Sequence, residues 1–243
     1  MTSEANFTLL AERIALPDAT TALLWDMDGT LLDTLGLDFE ICNGLIAERF
    51  PSGAKTVPQE VIKAYFAIEP YGFFRELLTY AVGAAAFDDR VLEQIVEVYE
   101  EARKTAVFKP CPGILEVLEA AEGRGFAQAV VSNNAAADVE QILSGAGIRR
   151  FFGQVVGNDH EGFAKKPAPD TYLLGAKRLA AAPEHCVVFE DSLLGAEAGK
   201  RAGCYTVAVA TGGTPFAQLE ASSWVDRAYY SFASADATLA GQR

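Results

Sequence analysis

An apolar run over residues 22–25 ends in two carboxylates, Asp26 and Asp28, which are separated by one residue and followed by a Gly-Thr turn. Placing two like charges at the end of a buried strand is costly, because burial and mutual repulsion both disfavour the ionised forms. A divalent cation between them would offset that cost, and hard oxygen ligands favour Mg²⁺ over zinc. The pair therefore predicts a metal-assisted site.

A calcium-binding EF-hand loop is the competing interpretation of these carboxylates. With Asp26 at its first position, such a loop requires glycine at the sixth position and glutamate at the twelfth. Leu31 and Leu37 stand at those two positions in this chain. The EF-hand interpretation is therefore excluded.

Further polar side chains stand at the ends of later apolar runs and in a proline-rich loop. They are Ser132 and Asn133 after one run, Glu190 and Asp191 after another, and Lys166 in the loop. These residue types suit phosphoryl transfer, which depends mainly on positioning and electrostatics. The set therefore predicts a site that handles a phosphoryl group.

The acidic residues divide into chemical roles. Asp26 could attack phosphorus and form an aspartyl-phosphate, while Asp28 could protonate the leaving oxygen and then activate water. A metal held by Asp26, Asp191 and a backbone carbonyl would screen the attacking carboxylate from the phosphate and stabilise the developing charge.

The remaining polar residues are candidates for binding the phosphate. Lys166 would supply a fixed positive charge, with Lys165 as a solvated neighbour. Ser132 and Asn133 would donate hydrogen bonds to the phosphoryl oxygens. An ordinary helix N-cap is the alternative interpretation of Ser132 and Asn133.

The elements that must position these residues alternate regularly from residue 112 onward. Near-continuous apolar runs alternate with helical patterns, which predicts an α/β fold with a parallel sheet covered by helices on both faces. The polar strand ends are then expected to meet at one edge of that sheet. The predicted strands are 22–25, 126–131, 154–156, 186–190, 205–210 and 228–230, and the predicted helices are 113–122, 136–146, 170–181 and 193–202.

Residues between the first strand and this alternating region show helical periodicity only. Leu37, Ile41 and Leu45, for example, recur every fourth residue. A helical block inserted after the first strand predicts a cap domain that lies over the carboxyl edge of the sheet as a lid. The predicted boundaries are 1–35 and 109–243 for the core and 36–108 for the cap.

The bulk composition limits the class of protein. The chain has 243 residues, of which 50% are hydrophobic, enough for one large domain or a domain with an insertion. A net charge of −13 excludes nucleic acid as a partner. The expected partner is a small phosphorylated substrate, so the positive charge that binds it must be local.

The cysteines and the chain start indicate the compartment. The four cysteines fall at no metal-ligand spacing and are expected to be reduced structural thiols. The start of the chain does not resemble a signal peptide, and no apolar segment reaches membrane-spanning length. Residues 1–19 are expected to form a short amphipathic helix or a loose arm. We expect a cytoplasmic protein that is a monomer or a small homo-oligomer.

Four motifs resemble those of the haloacid-dehalogenase-like hydrolase superfamily in order and spacing. They are D-M-D-G-T at 26–30, V-S-N at 131–133, K-P-A-P-D at 166–170 and F-E-D-S at 189–192. The small residues after the fourth motif are similar to those of its β-phosphoglucomutase-like branch. The resemblance spans residues 21 to about 212. It implies a Rossmann-like core, an inserted helical cap and Mg²⁺ as cofactor.

The same resemblance implies a role for each matched residue. Asp26 would be the nucleophile, and Asp28 the acid/base with its main-chain carbonyl on the metal. Ser132 and Lys166 would bind the phosphate. Asp191 would bind the metal.

The resemblance also suggests roles for two further residues. Glu190 would lie behind the metal ligands or reach the metal through water. The stretch G-F-F-R-E at 72–76 resembles a cap segment that contacts substrate, which makes Arg75 a candidate contact. The alternative for Arg75 is an ordinary arginine near a helix start, paired with a neighbouring acid.

The motifs leave two reactions open. A Mg²⁺-dependent phosphatase is favoured, because such enzymes are more numerous. A phosphomutase would use the same nucleophile and metal but return the phosphate through a bisphosphorylated intermediate. A non-catalytic binding protein is disfavoured by the intact motifs, and a metal-free dehalogenase by Asp28, which such enzymes lack.

Overall fold

The computed structural model describes residues 16–65, 70–160 and 162–233, and the chain forms two compact units. The first unit comprises residues up to Asp33 together with those from Lys109 onward, and the second is Thr34–Phe108. Each unit has its own cluster of buried apolar side chains.

The first unit is built on a six-stranded sheet in which every neighbouring pair of strands is parallel. Its strand order is β3-β2-β1-β4-β5-β6. This confirms the predicted α/β class with a Rossmann-like parallel sheet. The strands are β1 Ala22–Trp25, β2 Ala127–Val131, β3 Gln154–Val156, β4 Cys186–Glu190, β5 Tyr205–Val209 and β6 Arg227–Tyr229.

The central strands form because their residues are apolar on both faces. All residues of β1 and β4 are buried, as expected for a parallel sheet covered on two sides. Trp25 and Phe189 are register partners on β1 and β4, and their rings stack with centroids 4.0 Å apart. From β1 the strand order runs to β3 on one side, and from β4 it runs to β6 on the other, so the topological switch point lies between β1 and β4. Ligands bind at such switch points in open α/β sheets.

Helices surround the sheet in the first unit and make up the second. The second unit contains α1 Thr34–Arg49, α2 Gln59–Tyr65, α3 Pro70–Val82 and α4 Asp89–Thr105. The first contains α5 Ile114–Gly123, α6 Ala136–Gly145, α7 Asp170–Arg178, α8 Leu193–Arg201 and α9 Phe216–Glu220. Helix α7 packs against β1, β2 and β3, and α8 packs against β4 and β5. Among these described helices, none has the length and apolarity needed to cross a membrane.

One predicted helix ends more than one residue away from its observed end, and one observed helix was not predicted. Helix α7 ends at Arg178 rather than at residue 181, because Ala180 adopts a left-handed conformation with φ 53° and reverses the chain. Helix α9 has only five residues, too few to give a periodic pattern. Residues 16–19 form no helix, and the rest of the predicted N-terminal segment, residues 1–15, lies outside the described residues.

The second unit buries a different stripe of α1 from the one predicted. Leu37, Ile41 and Leu45 are only partly buried, whereas the fully buried stripe includes Asp38 and Cys42. Because this stripe includes polar residues, the periodicity of apolar residues alone does not reveal it. The apolar face of α4, by contrast, lies in the core of the unit, where Leu92, Ile95, Val96 and Tyr99 are buried.

An ion pair and a hydrogen bond explain why α1 carries a buried acid on its inner face. Asp38 is fully buried and accepts a hydrogen bond from the Tyr99 hydroxyl at 2.9 Å. Arg103 Nε lies 3.3 Å from Asp38 Oδ1. Burial and the nearby Asp38 charge raise the pKa of Tyr99 and keep its hydroxyl protonated. The contacts join the first and last helices of the unit.

Candidate active site

Asp26 is held at the end of β1 by the neighbouring strand and by a lysine. Its backbone N–H donates to the Phe189 carbonyl at 3.0 Å, which extends the β1–β4 ladder. The Lys166 ammonium lies 2.6 Å from Asp26 Oδ1. Only 8% of Asp26 is exposed, so one edge of this carboxylate remains accessible.

Lys166 is the centre of a buried polar network. The three N–H donors of its ammonium have four acceptors within hydrogen-bonding distance: Asp26 Oδ1, Glu190 Oε1 at 2.8 Å, the Val131 carbonyl at 2.9 Å and the Tyr172 hydroxyl at 3.0 Å. A buried ammonium requires such charge-assisted partners. Lys165, in contrast, is exposed, which agrees with its prediction as a solvated neighbour.

Tyr172 is a site residue that sequence reasoning missed. Its side chain is fully buried on α7, and its hydroxyl donates to Glu190 Oε1 at 2.7 Å. The Lys166 ammonium lies 4.7 Å from the centre of the tyrosine ring. The available signal was a tyrosine on the inner face of the helix that follows the lysine loop.

Glu190 is fixed by hydrogen bonds to both of its oxygens. Lys166 and Tyr172 occupy Oε1, and the Ser192 hydroxyl donates to Oε2 at 3.0 Å. A methyl group on Gly195 would lie 1.8 Å from Glu190 Oε1, so only glycine leaves room for this carboxylate. Gly195 therefore packs against the polar network of the site.

Three carboxylates could hold a metal ion here. Asp26, Glu190 and Asp191 each offer an oxygen, and the three oxygens lie within 4.8 Å of one another. Asp191 is 9% exposed and directly follows β4. Three acids around the single Lys166 ammonium leave an excess of negative charge. An all-oxygen donor set with this excess fits a hard divalent cation such as Mg²⁺.

The pKa shifts report the same charge excess. Burial, together with the charge of Glu190, raises the pKa of Asp26 to about 8 despite the opposing effect of Lys166. Burial and the charge of Asp26 also raise the pKa of Asp191 well above its usual range. Burial disfavours the ammonium of Lys166, but Asp26 and Glu190 more than offset this and raise its pKa. A bound cation would lower both carboxyl pKa values.

Asn134, which was not predicted as a site residue, links Asp28 and Ser132 by hydrogen bonds. The Asn134 amide donates to Asp28 Oδ2 at 2.9 Å, and its backbone N–H donates to Ser132 Oγ at 3.1 Å. Asp28 is partly exposed, and Ser132 is buried. Asn134 thus orients the side chain of Asp28 at the mouth of the sheet.

The N-cap interpretation of Ser132 and Asn133 is wrong. Helix α6 begins at Ala136, and its first N–H donates to Asp159 Oδ1 at 3.2 Å. Asn133 Oδ1 instead accepts from the backbone N–H of Lys166 at 3.0 Å. Asn133 therefore ties the lysine loop to the end of β2.

Arg75 makes the contact expected of an ordinary surface arginine. It lies on α3 in the second unit, and its Nη2 is 2.9 Å from Asp89 Oδ1. About half of the Arg75 side chain and most of the Asp89 side chain are exposed. Phe73 and Phe74 beside it are buried in the core of the unit.

The sheet and its acidic edge define a Rossmann-like α/β protein with a charged site at its switch point. The profile of the haloacid dehalogenase-like hydrolase family matches residues 23–209. The chain therefore belongs to this family, which confirms the resemblance seen in its four motifs.

Relatives of known name cover most of the chain. It is 31% identical over 202 residues to fructose-1-phosphate phosphatase YqaB of Escherichia coli, a match covering 77% of this chain and 95% of that protein. It is 29% identical over 228 residues to β-phosphoglucomutase of Mycobacterium tuberculosis, covering 84% and 86%. A hydrolase of the family from Deinococcus radiodurans, solved with phosphate and sodium, is 24% identical with a TM-score of 0.75, covers 89% and 93%, and shares the fold.

Proposed function

We propose that this protein is a Mg²⁺-dependent phosphatase that hydrolyses a small phosphorylated metabolite, such as a sugar phosphate, through an aspartyl-phosphate intermediate. The observation that carries the proposal is the position of Asp26. Its carboxylate ends β1 beside Lys166 and within the group of acids that includes Asp191. The phosphatase named among the relatives supports the same reaction class.

Asp26 is the proposed nucleophile. Its oxygen attacks phosphorus, the bond from phosphorus to the leaving oxygen breaks, and the phosphoryl group is transferred to the carboxylate. The contact with Lys166 holds the carboxylate in one orientation, so little reorganisation is needed before attack.

Asp28 is the proposed general acid and base. It protonates the leaving oxygen in the first step and removes a proton from water in the second, when that water attacks the aspartyl-phosphate. The hydrogen bond from Asn134 supports this role because it fixes the direction of the Asp28 side chain.

Lys166, Ser132 and Asn133 form the proposed phosphate-binding set. Lys166 supplies the positive charge, and the Ser132 hydroxyl supplies a hydrogen bond from the end of β2. Asn133 contributes by holding the backbone of Lys166 in place. The buried position of the lysine strengthens its electrostatic effect.

The side chains of Asp26 and Asp191, with the main-chain carbonyl of Asp28, would hold Mg²⁺. When bound, the ion neutralises the carboxylates and the phosphoryl oxygens and so lowers the cost of bringing them together. Glu190 is held by hydrogen bonds from Lys166 and from the Ser192 hydroxyl. It would support these ligands without direct contact with the ion.

The unit Thr34–Phe108 is the proposed cap domain, and it would determine which phosphorylated compound is accepted. The boundaries agree with an insertion between β1 and α5. Arg75 carries no part of the proposal, because its guanidinium pairs with Asp89.

Phosphate release from a panel of compounds tests the proposal. The panel contains sugar phosphates, polyol phosphates, phosphoglycolate and nucleotides, each assayed with and without Mg²⁺. We expect release from at least one monophosphate, dependent on the metal. If no member releases phosphate with Mg²⁺ present, the phosphatase assignment fails.

A phosphomutase of the β-phosphoglucomutase type is the second candidate. The relative of that name matches a larger share of this chain than the phosphatase does. Both reactions would use Asp26 and the same metal, so the lifetime and acceptor of the aspartyl-phosphate separate them.

A further inference from the structure

The carboxylate of Asp191 lies between two glycines that come from separate loops. A methyl group on Gly212, in the loop after β5, would lie 1.6 Å from Asp191 Oδ2. A methyl group on Gly29, in the turn after β1, would lie 2.6 Å from the same oxygen and 3.0 Å from the Cα of Gly212. The two glycines therefore determine where this carboxylate can stand.

Thr211 ties the loop after β5 to the same turn. Its hydroxyl donates to the Gly29 carbonyl at 2.5 Å, and the Cys111 thiol lies 3.8 Å from that oxygen. Gly29 has φ +80°, a left-handed conformation that favours glycine. The hydrogen bond from Thr211 thus fixes the turn that carries Asp28, while Gly212 contacts Asp191.

We propose that Thr211 and Gly212 are positioning residues for the metal ligand Asp191. The inference rests on the proposed function, because it takes Asp191 to bind Mg²⁺. A ligand whose orientation is already fixed by its surroundings presents its oxygen to the ion without rearrangement. A side chain at position 212 would displace that oxygen, because its first carbon would need the space that Oδ2 occupies.

Gly212 allows a test of crowding alone. Its φ lies outside the left-handed range, so alanine at this position meets the carboxylate without straining the backbone. The same substitution at Gly29 would combine crowding with strain. Gly212→Ala is therefore the more informative variant.

The experiment measures Mg²⁺ binding to the full chain by isothermal titration calorimetry with magnesium chloride alone. Gly212→Ala is expected to weaken binding about tenfold or more. Thr211→Val is expected to weaken it by a smaller factor, whereas Thr211→Ser keeps the hydroxyl and is expected to bind as the wild type does. Gly175→Ala is the crowding control, because the atoms nearest to its methyl group would belong to the side chains of Val131 and Leu24, at 3.0 and 3.2 Å.

Equal Mg²⁺ affinity in the wild type and Gly212→Ala would overturn the inference and leave the proposed function standing. If Gly212→Ala does not fold, the comparison of Thr211→Val with Thr211→Ser decides, and equal affinities again overturn it. A wild-type chain that binds no Mg²⁺ and releases no phosphate would overturn the proposed function, and the inference with it. Thermal unfolding of each variant measures any general loss of stability, which we expect to be similar in Gly175→Ala and Gly212→Ala. A loss of Mg²⁺ affinity that is confined to Gly212→Ala is then specific to the metal site.

Discussion

The hydroxyl of Tyr172 donates to Glu190 Oε1 at 2.7 Å and accepts from the Lys166 ammonium at 3.0 Å. A neutral side chain thus connects an acid and a base that are both buried. The position of Lys166 beside Asp26 depends on this arrangement, because a lysine side chain has four rotatable bonds and no rigid support of its own.

Tyr172→Phe should reduce turnover without abolishing it. The variant removes two hydrogen bonds but keeps the ring beneath Lys166, and we expect kcat to fall about tenfold, since a hydrogen bond to a charged group is worth about 1.5–3 kcal/mol. Tyr205→Phe, at the amino end of β5, is the matched control and should leave kcat unchanged. Equal kcat values in Tyr172→Phe and the wild type would show that the hydroxyl does not support the lysine.

Most of the sheet and the ends of its strands could be predicted from the sequence. The strands that carry Asp26 and Glu190 are continuous apolar runs, and their boundaries were predicted correctly. Such runs are informative because a parallel sheet buries both faces of its strands. Polar residues directly after them are then expected at one edge.

The contacts within the site could not be predicted in the same way. Tyr172 stands on a helix whose periodicity marks it as core, and nothing local indicates that its hydroxyl meets Glu190. Gly195 stands on the helix after β4, and nothing local indicates that a methyl group there would meet the same carboxylate. Such contacts depend on how the side chain at the end of a strand packs against the neighbouring helices, which hydrophobic periodicity does not encode.

Gly195→Ala should impair activity, while Gly199→Ala should not. Both glycines lie on α8 one turn apart, and alanine favours a helix over glycine by about 1 kcal/mol in each case. The new methyl group would meet Glu190 Oε1 at 1.8 Å in the first variant, but Val188 Cγ1 at 3.0 Å in the second. We expect kcat/KM to fall about 10–100-fold in Gly195→Ala and to stay unchanged in Gly199→Ala. Equal losses in both variants would indicate general packing damage.

Asp38→Ala should destabilise the second unit. The substitution leaves the Tyr99 hydroxyl and the partly exposed Arg103 without the buried acid, and loss of a hydrogen bond to a charged group costs about 1.5–3 kcal/mol in the free energy of unfolding. Asp89→Ala removes the exposed pair with Arg75 and is the control, expected to change stability little. Urea unfolding monitored by circular dichroism measures both. Similar unfolding midpoints would mean that the contacts of Asp38 with Arg103 and Tyr99 contribute no net stability.

Asp26→Asn should abolish turnover while the fold remains intact. The amide keeps the volume of the side chain but removes the nucleophilic oxygen, and loss of a nucleophile costs several orders of magnitude in kcat. Circular dichroism and thermal unfolding would check the fold. Activity above about a hundredth of the wild-type value would contradict the covalent mechanism.

The fate of the aspartyl-phosphate distinguishes phosphatase from phosphomutase. In a phosphatase, Asp28 activates water as soon as the first product leaves, so the intermediate is short-lived. A mutase must keep it until a second sugar phosphate arrives, and a bisphosphate primer should then accelerate the reaction. We expect steady phosphate release from a monophosphate without a primer, and loss of that release in Asp28→Ala, because no other carboxylate is proposed to activate the water. Slow phosphate release with rapid isomer formation that depends on a bisphosphate would establish the mutase instead.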